Sequence, residues 1–192
     1  MDDVKCLYHY YEKDQPPFRT LTALPFEEAK MVLCAGLNEK TKFDVDHFLE
    51  LRYNRDKILR DAFVAIGGQP IRTAPVYFTL GPNKGMKTWF NEPAFVKIPF
   101  HEFDYNTVSF TYGDSLAVFN PTLNTGEEWW GKVFFYNEMV KLIDKYGLPE
   151  DPPYHMNKCI FPKDKHINDC LKFVEAHVWD DTVLDKYRKN IT

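Results

Sequence analysis

The 192-residue chain has 44% hydrophobic and 27% charged residues, proportions that exclude a disordered or fibrous chain. Its formal charge of −4 argues against an extended nucleic-acid footprint, which needs a basic face. No run approaches the roughly 18 consecutive apolar residues that span a membrane, and the acidic MDDVK start leads into no secretory apolar region, so a cytosolic protein is expected.

The first predicted strand covers residues 5–11, KCLYHYY. Both of its faces are aromatic or apolar apart from His9, which is therefore either a core histidine with a local partner or the floor of a cleft. EKDQPPF ends the strand, because two prolines cannot continue a ladder. LPFEEAKMVLCAG predicts a short helix: Pro25 suits its first turn, Glu27 and Glu28 its positive end, and Gly36 its C′ position. Phe26, Ala29 and Leu33 form its apolar stripe. DVDHFLELRYNRDKILRDAFVAIGG predicts the longest helix, with Val45, Phe48, Leu51, Ile58, Ala62, Phe63 and Ile66 at helical spacing and Gly67-Gly68 as its stop. Arg52, Arg55 and Arg60 fall on or beside its polar face, where a solvated surface is expected over phosphate binding.

VYFTLG predicts a strand closed by Gly81-Pro82, KGMKTWFN a brief helix, and AFVKIPF and TVSFTY two further strands. SFTYGDSLAVFN predicts a hairpin turning across Gly113-Asp114, with Ser109 and Thr111 on one face and Val108, Phe110 and Tyr112 on the other. NEMVKLIDKYGLP predicts a helix capped by Asn137 and ended by Gly147. The proline-rich stretch from Pro149 to Cys170 predicts a long functional loop. It leads into a last strand, LKFVEAHVWDD, with Phe173, Glu175 and His177 on one face and Val174, Ala176 and Val178 on the other. Strands and helices mix without regular alternation, and there is no repeat or linker, so a single α+β domain over 1–192 is expected.

Three of these strands each carry one unexpected residue: His9 among aromatics, Tyr77 beside Thr79 in VYFT, and Glu175 in FVEAHV. A carboxylate in mid-strand is costly unless paired or used. The order His, then Tyr, then Glu near the C-terminal end resembles the His-Tyr-Glu class of the ADP-ribosyltransferase fold, the diphtheria-toxin-like branch. The resemblance implies a strand-rich split β-sheet core with flanking helices and a glycosyltransferase that takes NAD as substrate. Such an enzyme cleaves the nicotinamide–ribose bond and passes ADP-ribose to a protein, a nucleic acid, a small molecule or water. Carried over, the catalytic residues are Glu175, Tyr77 and His9. The second aromatic of the family is usually Tyr, and here its nearest equivalent is Trp89.

The residue types suit that chemistry. Cleavage builds oxocarbenium character on the ribose, which Glu175 would stabilise while holding the 2′-hydroxyl. Tyr77 and Trp89 would offer faces to the nicotinamide ring, and His9 would hydrogen-bond the other ribose. Thr79, or Ser109 and Thr111, would orient the amide, and Arg72 and Arg19 would meet the pyrophosphate. No glycine-rich dinucleotide motif follows a strand, so NAD would not be held in the Rossmann manner.

Other chemistries find less support. His155, Cys159, His166 and Cys170 are zinc-ligand types, but their H-x3-C-x6-H-x3-C order departs from the usual closely spaced cysteine pairs. The apolar residues after Cys159 and Cys170 suit free buried thiols, and the four cysteines together fit a reducing compartment, so no metal is assigned. His101, Glu102 and Asp104 sit between two predicted strands and read as a polar turn. Aromatics at 16% of the chain fill a β-rich core or line a pocket for a flat ligand, so a non-enzymatic interaction domain stays open as the alternative.

Overall fold

The computed structural model describes residues 3–36, 44–124, 126–149 and 173–191. Alternating β-prone segments form five antiparallel strands: β1 (Cys6–Glu12), β2 (Val76–Leu80), β3 (Pro93–Pro99), β4 (Val108–Thr111) and β5 (Glu175–Val178). They hydrogen-bond in the order β3-β1-β2-β5-β4, as one continuous sheet where the resemblance implied a split one. The helices among the described residues are α1 (Phe26–Gly36), α2 (Val45–Ala65), α3 (Lys84–Lys87), α4 (Ser115–Val118), α5 (Tyr136–Tyr146) and α6 (Thr182–Ile191). The described residues thus form an α+β domain, and none of their helices is long and apolar enough to cross a membrane.

Register fixes which side chains share a face. Tyr8 pairs with Thr79, Thr79 with Glu175, and Glu175 with Thr111. Tyr77 pairs with His177, and His177 with Ser109. These side chains project from one face of the sheet, toward α2. The opposite face carries Leu7, Val76, Phe78, Val108, Phe110, Val174, Ala176 and Val178, all buried in the main apolar core. Met139 and Leu142 of α5 and Val183 and Leu184 of α6 close over that core. Deep burial of aromatic and branched side chains here supplies most of the driving force for folding.

Four local expectations are corrected. The chain after β4 makes no return strand: Gly113 turns it at a φ of 121°, and Asp114 accepts the Leu116 N–H at 2.8 Å, which starts α4 instead. An aspartate in the N-cap position here outweighs the β-propensity of LAVFN. Helix α5 is entered at Phe135, whose N–H bonds the Glu138 carboxylate, so Asn137 lies inside the helix. The last strand covers only Glu175–Val178 of the expected LKFVEAHVWDD: Asp180 accepts the Thr182 N–H at 3.0 Å, and α6 begins there. Its sequence carries no long apolar stripe, and Val183, Leu184 and Tyr187 reach the core.

The fourth correction concerns α2. Its inward stripe runs through Leu49, Arg55, Asp56, Leu59 and Phe63, whereas Leu51 and Ile66 are exposed. The arginines are not a solvated face. Arg55 is buried with its guanidinium 5.3 Å from the Phe119 ring centre, and Arg60 donates to the carbonyls of Arg72 and Pro70. Arg52 lies over Tyr77.

Candidate active site

Strands β1 and β2 pair only at Leu7–Leu80 and Tyr8–Thr79, whereas β1 stays paired with β3 along its whole length. Beyond Tyr8 the first two strands part. A cavity of about 430 Å³ opens at this parting, on the α2 side. Its wall includes Tyr8, Tyr10, Arg52, Tyr77, Thr79, Trp89, Asp114 and Glu175. Six of the expected residues therefore line it: His9, Arg19, Tyr77, Thr79, Trp89 and Glu175.

Glu175 is 7% exposed, at the start of β5. Its Oε2 accepts the Ser115 N–H at 2.9 Å and His177 Nε2–H at 3.2 Å, while Oε1 has no hydrogen-bond partner among the described residues. The i, i+2 spacing that put Glu175 and His177 on one face in the sequence is the reason they bond. His177 is itself held in a directed chain: Trp179 Nε1–H donates to Ser109 Oγ at 2.9 Å, and Ser109 lies 3.2 Å from His177 Nδ1. With His177 donating from Nε2, the Ser109 hydroxyl proton points at Nδ1, and the side-chain polar atoms of Trp179, Ser109 and His177 all have partners. Burial pushes the Glu175 carboxyl upward. The hydrogen bond from His177, with the Arg52 charge and the Ser115 N–H, outweighs burial and holds it below the usual carboxylate range.

Asp114 is the second carboxylate on the cavity wall. Its Oδ1 is tied to the Leu116 N–H at 2.8 Å. Burial, with the Glu175 charge adding to it, raises its pKa to about 6. Asp56 of α2, which accepts the hydroxyls of Thr22 and Tyr77, is also raised, chiefly by burial.

Tyr77 holds a different position from a bare stacking platform. Its hydroxyl is spent on Asp56, the Arg52 guanidinium stands 4.3 Å from its ring centre, and His177 meets it edge-on at 5.5 Å. Burial first, then the Asp56 and Glu175 charges, raise the phenol well above its ordinary pKa against the pull of Arg52. It is a neutral hydroxyl at any physiological pH. A nicotinamide ring sandwiched between Tyr77 and Trp89 is thus blocked on the face that Arg52 covers. Trp89 stands at the rim, 59% exposed, with its ring edge-on to Phe173 at 6.5 Å. The Thr79 hydroxyl donates to the Gly81 carbonyl at 2.7 Å, so toward a ligand its oxygen can only accept.

His9 is a correction. Its neighbour Tyr8 shares the Glu175 face, so the His9 imidazole projects from the opposite face, onto Phe18 and Phe78 at 5.1 and 5.2 Å. His9 still forms part of the cavity wall, but its ring nitrogens are engaged elsewhere. Nδ1 donates to the Tyr77 carbonyl at 2.9 Å, and Nε2 accepts the Phe18 N–H at 2.9 Å. Neither nitrogen is left for a ribose. Burial, aided by the Arg188 charge, lowers its pKa to about 4. The histidine substitutes for the lost ladder bond where β1 and β2 part, and it holds Phe18 at a φ of 62°, in the left-handed region.

Arg72 is a second correction. It bonds both Asp181 oxygens at 2.5 Å and the Ala74 carbonyl at 2.9 Å, away from the cavity. Arg19 does reach the cavity and donates to Gln15 at 2.7 Å. Ser109 and Thr111 belong to the buried network, since Thr111 donates to the Gly113 carbonyl. His101 and Glu102 lie in the expected polar turn, where Glu102 accepts the Tyr187 hydroxyl. The loop to Cys170 and the set His155, Cys159, His166 and Cys170 lie outside the described residues.

Three charged residues in or beside the cavity escaped sequence reasoning. Arg52 and Asp56 stand three and seven residues after Leu49, which places them on the stripe that Leu59 and Phe63 also share. Anchoring the helical pattern on Leu49 instead of Leu51 reveals them. Asp114 is visible as an N-cap type directly after a turn glycine. No family model, curated protein or solved structure matches the chain at a significant level.

Proposed function

We propose that the chain is an ADP-ribosyltransferase-like enzyme that cleaves the nicotinamide–ribose bond of NAD and transfers ADP-ribose to an acceptor or to water. One observation carries this reading: Glu175 is held as a carboxylate on the wall of an aromatic-lined cavity, with one oxygen free of partners among the described residues. A fixed negative charge in a desolvated site stabilises a ribosyl cation far better than it would in water. Its free oxygen would hold the ribose 2′-hydroxyl. Trp89 and Phe173 would cover the nicotinamide at the rim, and Arg52, with Arg19, would take over the pyrophosphate contact expected of Arg72. Incubation with NAD tests the proposal: tryptophan fluorescence should be quenched as NAD binds, and free nicotinamide should accumulate. Absence of both at millimolar NAD contradicts it.

A second reading is favoured by the engagement of both His9 nitrogens. With no histidine donor for the second ribose, the cavity would bind a nucleotide without turning it over, as a non-enzymatic binding domain does. NAD-dependent quenching without nicotinamide release distinguishes that outcome.

A further inference from the structure

Glu175 and Asp114 are anchored in the same way. Each gives one oxygen to a backbone N–H of the turn that opens α4, Glu175 to Ser115 and Asp114 to Leu116. Each keeps its other oxygen free of hydrogen-bond partners among the described residues, and both line the one cavity. Two carboxylates in one site with divergent environments are the arrangement by which glycoside-cleaving enzymes divide labour between a charge stabiliser and a proton carrier. Glu175 has the hydrogen bonds that suit the first task.

We propose, resting on the NAD reading above, that Asp114 is the general base that takes the proton of the incoming nucleophile. The bond that breaks joins ribose C1′ to the nicotinamide nitrogen, whose electron pair leaves with it, so the cationic ring departs as neutral nicotinamide. The bond that forms joins C1′ to the oxygen of water or of an acceptor hydroxyl. The proton of that oxygen passes to the free Oδ2 of Asp114. No oxidant or further reactant is needed.

The electrostatics agree with the task. Asp114 is faced by Glu175 from β5 and by Arg52 and Arg55 from α2, and burial with the Glu175 charge raises it to about 6. It is therefore ionised at pH 7 yet basic enough to accept a proton, the compromise that general bases need.

The test uses Asp114→Asn, which keeps the size and the cap on Leu116, and Asp114→Ser as a second capping variant should the first not fold. NAD affinity, by fluorescence, should stay within about twofold of wild type. Nicotinamide release into water should fall on the order of 10²-fold or more. Azide, which brings no proton to remove, should restore release in the variant and yield the ribosyl azide, while accelerating wild type little. The wild-type rate should fall as the pH drops below about 6, and this limb should vanish in the variant. A folded, NAD-binding variant that turns over like wild type, or one that azide does not rescue, overturns the assignment. Wild-type protein that releases no nicotinamide overturns the NAD reading itself, and the assignment with it. Wild-type release with an unaffected variant overturns Asp114 alone.

Discussion

His9 Nδ1 donates to the Tyr77 carbonyl at 2.9 Å at the point where β1 and β2 stop pairing. A side chain thus closes the gap that a ladder bond leaves, and the cavity lies on the other side of it. The imidazole is deeply buried and neutral, with its pKa lowered to about 4 from an ordinary 6.5. Its folded value lies below its unfolded value, so the unfolded chain takes up the proton first. Stability from this group is intact above about pH 6.5 and is lost as the pH falls toward 4. Complete loss amounts to about 3 kcal/mol. Urea unfolding at pH 7 and pH 5 should show this decline in wild type. His9→Phe should flatten that part of the profile, yet cost about 2–4 kcal/mol at pH 7, because the Phe18 N–H and the Tyr77 carbonyl lose their partners.

Arg72 supplies a contrast between a cation that builds the fold and one that meets a ligand. Its pair with Asp181 is half-buried and two-pronged. Arg72→Met should lower stability by about 1 kcal/mol and leave NAD affinity unchanged. A large loss of affinity with stability intact would return Arg72 to the binding site.

Arg52 should behave the opposite way. It lines the cavity over Tyr77 and forms no ion pair with a described residue. Arg52→Met keeps the apolar stem but removes the donors that a pyrophosphate would use. NAD affinity should weaken roughly 10- to 100-fold, the equivalent of one charge-assisted hydrogen-bonded contact. Titrations at low and high salt should show a smaller salt dependence in the variant.

The buried chain from Trp179 through Ser109 and His177 ends on Glu175. Ser109→Ala leaves the Trp179 N–H and His177 Nδ1 without partners, at a cost of about 1–3 kcal/mol. The freed imidazole can then exchange tautomers and withdraw its donor from Glu175. Nicotinamide release should fall while the KM for NAD holds, a split that a purely structural defect does not produce.

The strands, the two long helices and the shared face of Glu175 and His177 were legible because each rests on local periodicity. Strand alternation put Glu175 and His177 on one face, and the structure joins them by a hydrogen bond. The same alternation places His9 away from Tyr8, but which face of β1 meets Glu175 depends on the register with β2, and register is a tertiary property. Arg52 lines the cavity and Arg72 does not, the reverse of the expectation, for a similar reason. Asp181 lies 109 residues from Arg72 in the chain, so the pair has no sequence signature. The hairpin expected after β4 failed on a local competition, in which Asp114 capped a helix that the β-prone run LAVFN did not advertise.

The most direct test of the central claim is the rate of nicotinamide release from NAD by wild type and by Glu175→Gln, measured with affinity and stability in parallel. Glutamine keeps the size and can accept the Ser115 and His177 hydrogen bonds through its carbonyl oxygen, but carries no charge. Because the fold favours the charged carboxylate, the substitution should cost on the order of 1 kcal/mol of stability, a cost that in wild type appears as a decline at acid pH. NAD should still bind, and release should fall by about 10²–10³. Equal release by a folded, NAD-binding variant would contradict the assignment of Glu175 as the group that stabilises the ribosyl cation.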